Sequence, residues 1–381
     1  MAGKRSIFED VGEAADKGGR QVQTGMIDRG GASGARRAIR GWLVALFVLV
    51  VVMILVGGLT RLTESGLSIT EWALVIGTLP PMGAQDWAVA FAKYQQTPEF
   101  RLVNHAMTLD QFKVIYWWEW GHRFLGRIIG LVWIAGFVGF WAAGKIPTGW
   151  KARLLVIGVL IGVQGAVGWW MVASGLVGDR TSVASYRLAL HLGLAFVILG
   201  LIVWAVLELS RPQAEILQAR RLREKRLFGL GTGLMHLTLL QIVLGALVAG
   251  IDAGRSYTDW PLMAGQIIPP DPFDIEPLWR NFFENPGLVQ FIHRVAGYLL
   301  IIFALVAFLR ARRAASRAVR TGFTVAAGVL LAQMVLGIVT VLNGAQLHVA
   351  ITHQAGAILA WVVVLVARFR AGYPPAQSVR G

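Results

Sequence analysis

The sequence predicts an all-α polytopic membrane protein, its eight transmembrane helices arranged as two tandem, pseudo-symmetric four-helix bundles. Three observations predict it. Apolar residues make up 56% of the 381-residue chain and charged residues only 15%, where a soluble domain carries about 25% charged residues. The apolar residues fall in long runs, and about 20 residues of helix cross a bilayer core of about 30 Å. Finally, a set of short motifs in the first half returns, in the same order, in the second.

The eight runs are 41–60, 120–143, 154–175, 188–208, 228–250, 289–309, 321–342 and 351–368. Lys and Arg sort between the connections. Eight lie before the first run, then three, six and five follow runs two, four and six, and three lie at the C-terminal end, making 25 of the 36. The alternate connections hold only eight. Basic residues accumulate on the cytoplasmic side, so both termini are expected in the cytoplasm, with a bacterial inner membrane as the location. The net charge of +15 is thereby explained by topology and calls for no nucleic-acid partner; the surrounding partner is membrane lipid. Residues 1–40 are polar, Gly-rich and mixed in charge, unlike the short basic start and apolar core of a signal peptide, and are expected to form a flexible cytoplasmic tail. Two outer connections, 61–119 and 251–288, are long. With no cysteine in the chain, disulfides, thiolate metal sites and cysteine nucleophiles are excluded.

The internal repeat sets the domain organisation. "ESGLSITEW" starts at Glu64 after the first run, and "DAGRSYTDW" starts at Asp252 after the fifth. "HRFLG" at His122 pairs with "HRVAG" at His293, and "QGAVG" at Gln164 with "QMVLG" at Gln333. His191 opens run four and His353 opens run eight. The expected units are a first four-helix half over 41–210, a cytoplasmic linker over 211–227, a second half over 228–370 and a C-terminal tail over 371–381.

Four of the seven histidines, His122, His191, His293 and His353, therefore occupy repeat-equivalent positions near the outer ends of even-numbered spans. Each half offers two imidazoles at matching depth on its second and fourth helices. Facing across a bundle core, two imidazoles can supply both axial ligands of one haem. Zinc and copper ordinarily call for three or four protein ligands together, which neither half offers. A hydrogen-bonded packing role is the alternative for any single membrane histidine, but four in a duplicated frame favour ligation. His105, His236 and His348 have no counterpart in the repeat and are read as structural. Arg123 and Arg294 directly follow two of the ligand candidates, where each can meet a haem propionate or snorkel to the interface. The halves also differ. Three residues before His122 stands Glu119, on the same helix face; three before His293 stands Gln290. A carboxylate in one half only points to a reactive site there and a structural or electron-carrying site in the other. A di-iron reading of Glu-x-x-His fails for want of further glutamates within the bundle.

Read together, "GGLTRLTESGLSITEW", "MTLDQFKVIYWWEWGHRFLGR", "VAGIDAGRSYTDWP", "FFENPGLVQFIHR" and "THQAGAILAW" resemble the haem A synthase family, in its cysteine-free proteobacterial and mitochondrial branch. The resemblance covers most of 42–368. It implies a membrane oxidoreductase that converts one methyl group of haem O to a formyl group, by way of an alcohol and a gem-diol, to make haem A for cytochrome oxidase. It further implies a resident haem b held by His293 and His353, the substrate haem O held by His122 and His191, and Glu119 as the catalytic carboxylate. Candidate partners are haem O synthase, cytochrome oxidase assembly factors, an electron acceptor or donor, and a second copy of the chain. Two other classes fit the same histidines: a quinol-linked dihaem b-type electron carrier, and a haem transporter or chaperone.

Overall fold

The computed structural model describes residues 32–375, except 73–75 and 179; of the tails expected at 1–40 and 371–381, residues 1–31 and 376–381 lie outside the described residues, while 32–40 and 371–372 are helical, continuing the first and last spans. The described chain has twelve α-helices and no β-strand. Eight are long and apolar enough to cross a membrane: α1 (Ala32–Leu62), α4 (Leu109–Ala142), α5 (Lys151–Gly175), α6 (Ser185–Leu209), α8 (Lys225–Gly250), α10 (Pro286–Ala311), α11 (Arg317–Leu342) and α12 (Leu347–Gly372). The others are short: α2 (Ala84–Tyr94) and α3 (Pro98–Leu102) in the first long connection, α7 (Gln213–Arg221) between the halves, and α9 (Asn281–Glu284) before α10.

The helices outrun their apolar cores, and capping explains where they begin. Thr108 accepts a hydrogen bond from the Gln111 N–H, and the Gln111 side chain answers to the Thr108 N–H at 2.8 Å. This reciprocal cap starts α4 well before residue 120, so "YWWEWGHRFLGR" lies wholly inside a helix rather than at its mouth. Asn285 caps α10 in the same way, accepting from the Leu288 N–H at 2.8 Å, with Pro286 at the first helical position. The linker expected at 211–227 carries α7. Arg211 fastens it by donating to Glu215 at 2.7 Å and to the Tyr373 carbonyl at 2.7 Å, while Arg36 donates to the Arg211 carbonyl.

Helices α1, α4, α5 and α6 pack as one ring, and α8, α10, α11 and α12 as a second. The rings join where α6 lies against α8, with α12 reaching both α6 and α1. Helix α6 is the most buried of the eight, as a helix between two bundles should be. Leu43, Leu46, Phe196, Leu199 and Ile202 are fully buried in the first core, which runs on into Ile358, Trp361 and Leu365 of α12. Phe323, Leu330 and Val364 centre the second core. Outward-facing Leu131, Val159, Ile302 and Leu331 leave an apolar exterior suited to lipid. Two side chains stitch the rings together. The Trp361 indole donates to the Phe196 carbonyl at 2.9 Å, and Gln354 donates to the Ile54 carbonyl at 2.7 Å.

At the outer end the duplicated turn holds the halves reciprocally. Glu64 and Asp252, the first residues of the two nine-residue repeats, both sit at φ 53°. Arg61 pairs with Asp252 at 2.6 Å, and Arg255 approaches Glu64 at 4.0 Å. Close backbone approach between the halves depends on Gly250, where an added Cβ would lie 2.9 Å from the Ser185 Cα. Gly250→Val should therefore destabilise the fold by about 1–3 kcal/mol and lower the thermal midpoint in detergent. Gly130→Ala, which enters open space on α4, should leave the midpoint unchanged or raise it.

Candidate functional site

The four repeat-related histidines stand on α4, α6, α10 and α12, and the structure brings the first two together. The His122 and His191 rings have centroids 6.5 Å apart, with planes at 61°. Each of the four rings meets a glycine on the preceding span. Added Cβ atoms at Gly57, Gly168, Gly245 and Gly337 would come within 3.1, 2.9, 3.1 and 3.0 Å of His122, His191, His293 and His353. These glycines are not flexible joints; they are the only residue small enough to let a helix approach an imidazole so closely.

One turn before three of these glycines stands a glutamine. The Gln164 amide donates to the His191 carbonyl at 2.9 Å and lies 3.1 Å from its Nδ1. Gln241 does the same for His293, at 3.0 and 3.2 Å. Gln333 does it for His353, at 2.8 and 3.2 Å. The pattern Gln-x-x-x-Gly is thus a seat for a histidine ring. It was legible only in part. "QGAVG" and "QMVLG" match between the halves, but "QIVLG" at 241–245 is a third copy, two spans from either, with no glutamine counterpart in the other half.

Whether a haem suits these seats can be asked of the donor set. A metal between two imidazole nitrogens at about 2 Å each sets the ring centroids about 6 Å apart, close to the separation of His122 and His191. Among the described residues no three His, Cys, Asp or Glu side chains gather as a metal site, so a porphyrin that brings its own remaining ligands fits and a bare ion does not. The Oε1 atoms of Gln164 and Gln241 are buried with no hydrogen-bond partner. The amide nitrogens, not these oxygens, flank the rings, so each glutamine orients its histidine through the backbone carbonyl.

Above the first pair, the outer loop grips Glu119. The carboxylate is 2% exposed. Ser68 Oγ and the Ile69 N–H donate to one oxygen at 2.7 and 2.8 Å, and Arg123 donates to the other at 2.6 Å. Arg123 also donates to the Ile69 and Glu71 carbonyls at 2.8 Å each and lies over the Trp72 ring. The second half repeats the frame with equivalent atoms. Arg294 donates to the Tyr257 and Asp259 carbonyls at 3.1 and 2.9 Å, while Gln290 donates to Tyr257 where Glu119 accepts. Both arginines, for which a propionate contact or snorkelling is the expectation, fasten a span to the loop above it. His105, His236 and His348 are exposed and stand apart from both pairs.

A family model described as "Cytochrome oxidase assembly protein", COX15-CtaA, matches residues 40–365. The chain belongs to this cytochrome oxidase assembly family. Among its relatives, a protein of Ruegeria pomeroyi named "Heme A synthase" is 60% identical over all of both chains. Proteins of the same name from Paracoccus denitrificans and Cereibacter sphaeroides are 57% and 55% identical, with 99% of this chain covered and 99% and 98% of theirs. The cytochrome oxidase assembly family match runs from within the first span to within the eighth.

The outer cap of this family member holds a second buried acid that sequence reasoning missed. Glu99 on α3 is 5% exposed, and its Oε2 has no hydrogen-bond partner. Nothing in a polar loop distinguishes such an acid from a solvated one. Burial first, and then the charge of Glu119, push its carboxyl up from 4.5 to about 8. The fold favours the neutral acid, so this contribution to stability is complete below the ordinary carboxylate range and disappears as pH rises through about 8. Protease cleavage within 84–104 should accelerate between pH 7 and 9 in the wild type, and Glu99→Gln should flatten that dependence.

Proposed function

We propose that this protein is a haem A synthase, an oxidoreductase that binds haem O between His122 and His191 and oxidises one porphyrin methyl group to a formyl group. The observation that carries the reading is the broken symmetry of a duplicated frame. Equivalent loops, arginines and histidines recur in both halves, but only the first places a carboxylate, Glu119, one turn from its histidine pair. The names of the full-length relatives agree with it.

In this reading His122 and His191 orient the substrate, and the outer loop 63–72 covers it from water. With water as the oxygen donor, taking the methyl group to a formyl group releases four protons and passes four electrons to the separate redox partner, and the conjugated ring spreads the positive charge left as electrons depart. Glu119 supplies the base for those protons and the negative charge opposite that cation. Ser68, the Ile69 N–H and Arg123 fix its two oxygens, so no reorientation is needed as charge develops. His293 and His353 would hold haem b, which supplies one-electron transfer when bound. The protein lies in the bacterial inner membrane with both termini in the cytoplasm, and it exchanges substrate, product and electrons with haem O synthase, cytochrome oxidase assembly factors and a separate redox partner.

Expression in a cell that makes haem O but no haem A tests the reading. Haem A should appear in the extract, and its absence would sink the assignment in favour of a carrier or transporter. Glu119→Gln should lower haem A yield about 100-fold or more while haem O stays bound. His293→Ala should instead remove a low-spin haem b signal from the spectrum of the purified protein.

A further inference from the structure

The histidine seats form a fourfold set with one member altered. Counting four residues back from the glycine that faces each ring gives Gln164, Gln241, Gln333 and, on α1, Met53. Met53 occupies the glutamine slot in space as well as in sequence. Its Cε would lie 3.2 Å from a Cβ added at Gly126, one turn beyond His122. In the second half the Gln241 amide would lie 3.2 Å from a Cβ at Gly297, one turn beyond His293. Three ligand candidates thus have an amide that bonds their own carbonyl and flanks their ring. Among the described residues none donates to or accepts from the His122 ring.

A thioether has no hydrogen to donate and is a weak acceptor. It can fill the volume of the glutamine but can neither bond the histidine carbonyl nor fix the ring's orientation. Outer-shell partners that orient a ligating histidine matter to the metal, and losing one typically costs 10–100-fold in metal affinity. We propose that His122 is the releasable ligand of the protein: Met53 leaves its ring unlatched so that the haem held in the first half can exchange. The other three seats are built to retain. The inference rests on the two-haem reading above and adds what distinguishes a substrate site from a cofactor site. A resident cofactor needs both axial ligands held; a substrate must enter and its product must leave, and one firm ligand, His191, with one yielding ligand, His122, allows that.

The exchange Met53→Gln, close to isosteric, installs the missing amide, and Gln164→Met removes one from the partner seat. The full-length protein, purified in detergent with its haems, is mixed with excess apomyoglobin, and haem transfer is followed in the Soret band. The wild type should release haem in a fast and a slow phase, and the fast phase should be absent from a His122→Ala protein. Met53→Gln should slow the fast phase about tenfold and deepen its low-spin signature, while Gln164→Met should quicken it. The slow phase, belonging to His293 and His353, should not move in either and reports an intact fold. A fast phase unchanged by Met53→Gln would overturn the inference and leave the two-haem reading standing. A His122→Ala protein with the wild-type haem content and both phases would overturn the two-haem reading, and the inference with it.

Discussion

The constraint on which the rest of the structure depends is the approach of each odd-numbered span to the imidazole on the span that follows it. Four glycines permit it, at distances where any Cβ would collide with or press on the ring. The rest of the fold follows from it. Helices held that near to a histidine leave the rings only a narrow choice of orientation, and three glutamine amides narrow it further through the histidine carbonyls. Polar atoms inside a membrane are costly unless paired, and in three of the four seats a glutamine amide pairs with the histidine carbonyl. Packing around these units, rather than charge, is what closes each ring of four helices.

Duplication supplies the frame, and the departures from it supply the chemistry. The outer turns share φ 53° at Glu64 and Asp252, and the arginines bond equivalent loop carbonyls in both halves. Against that background three substitutions break the symmetry. Glu119 stands opposite Gln290, Met53 stands in a glutamine slot, and Gln354 donates across the interface to Ile54, beside Met53, where its counterpart Leu192 has no amide to offer. The first two fall in the same half and on neighbouring helices. The third ties the helix of His353 to the helix that bears Met53, giving the two sites a direct mechanical connection.

Much of this was legible in the sequence, for identifiable reasons. Span number, the tandem organisation and the four histidines followed from apolar run length and from motifs repeated in order, both of which are local properties of the chain. The pairing of His122 with His191 followed from depth alone. What escaped was whatever depended on long-range contact. The start of α4 was hidden because its first turns are polar and set by the Thr108 cap. That Arg123 and Arg294 each fasten a span to its outer loop escaped because nothing local says that a loop folds back over them. Glu99 escaped for the same reason, since an acid in a polar loop carries no local mark of burial, and one of the three Gln-x-x-x-Gly copies escaped because it has no glutamine counterpart in the other half.

The central claim is that the first histidine pair holds the substrate and the second a resident haem. Acid–acetone extraction of the purified wild-type protein, with chromatography of the released haems, tests it most directly when set beside the same extraction from His191→Ala and His353→Ala proteins. The account predicts haem B together with haem O or haem A from the wild type, loss of haem O and haem A from the first variant, and loss of haem B from the second. Haem B alone in the wild type, or the same haem missing from both variants, would contradict it.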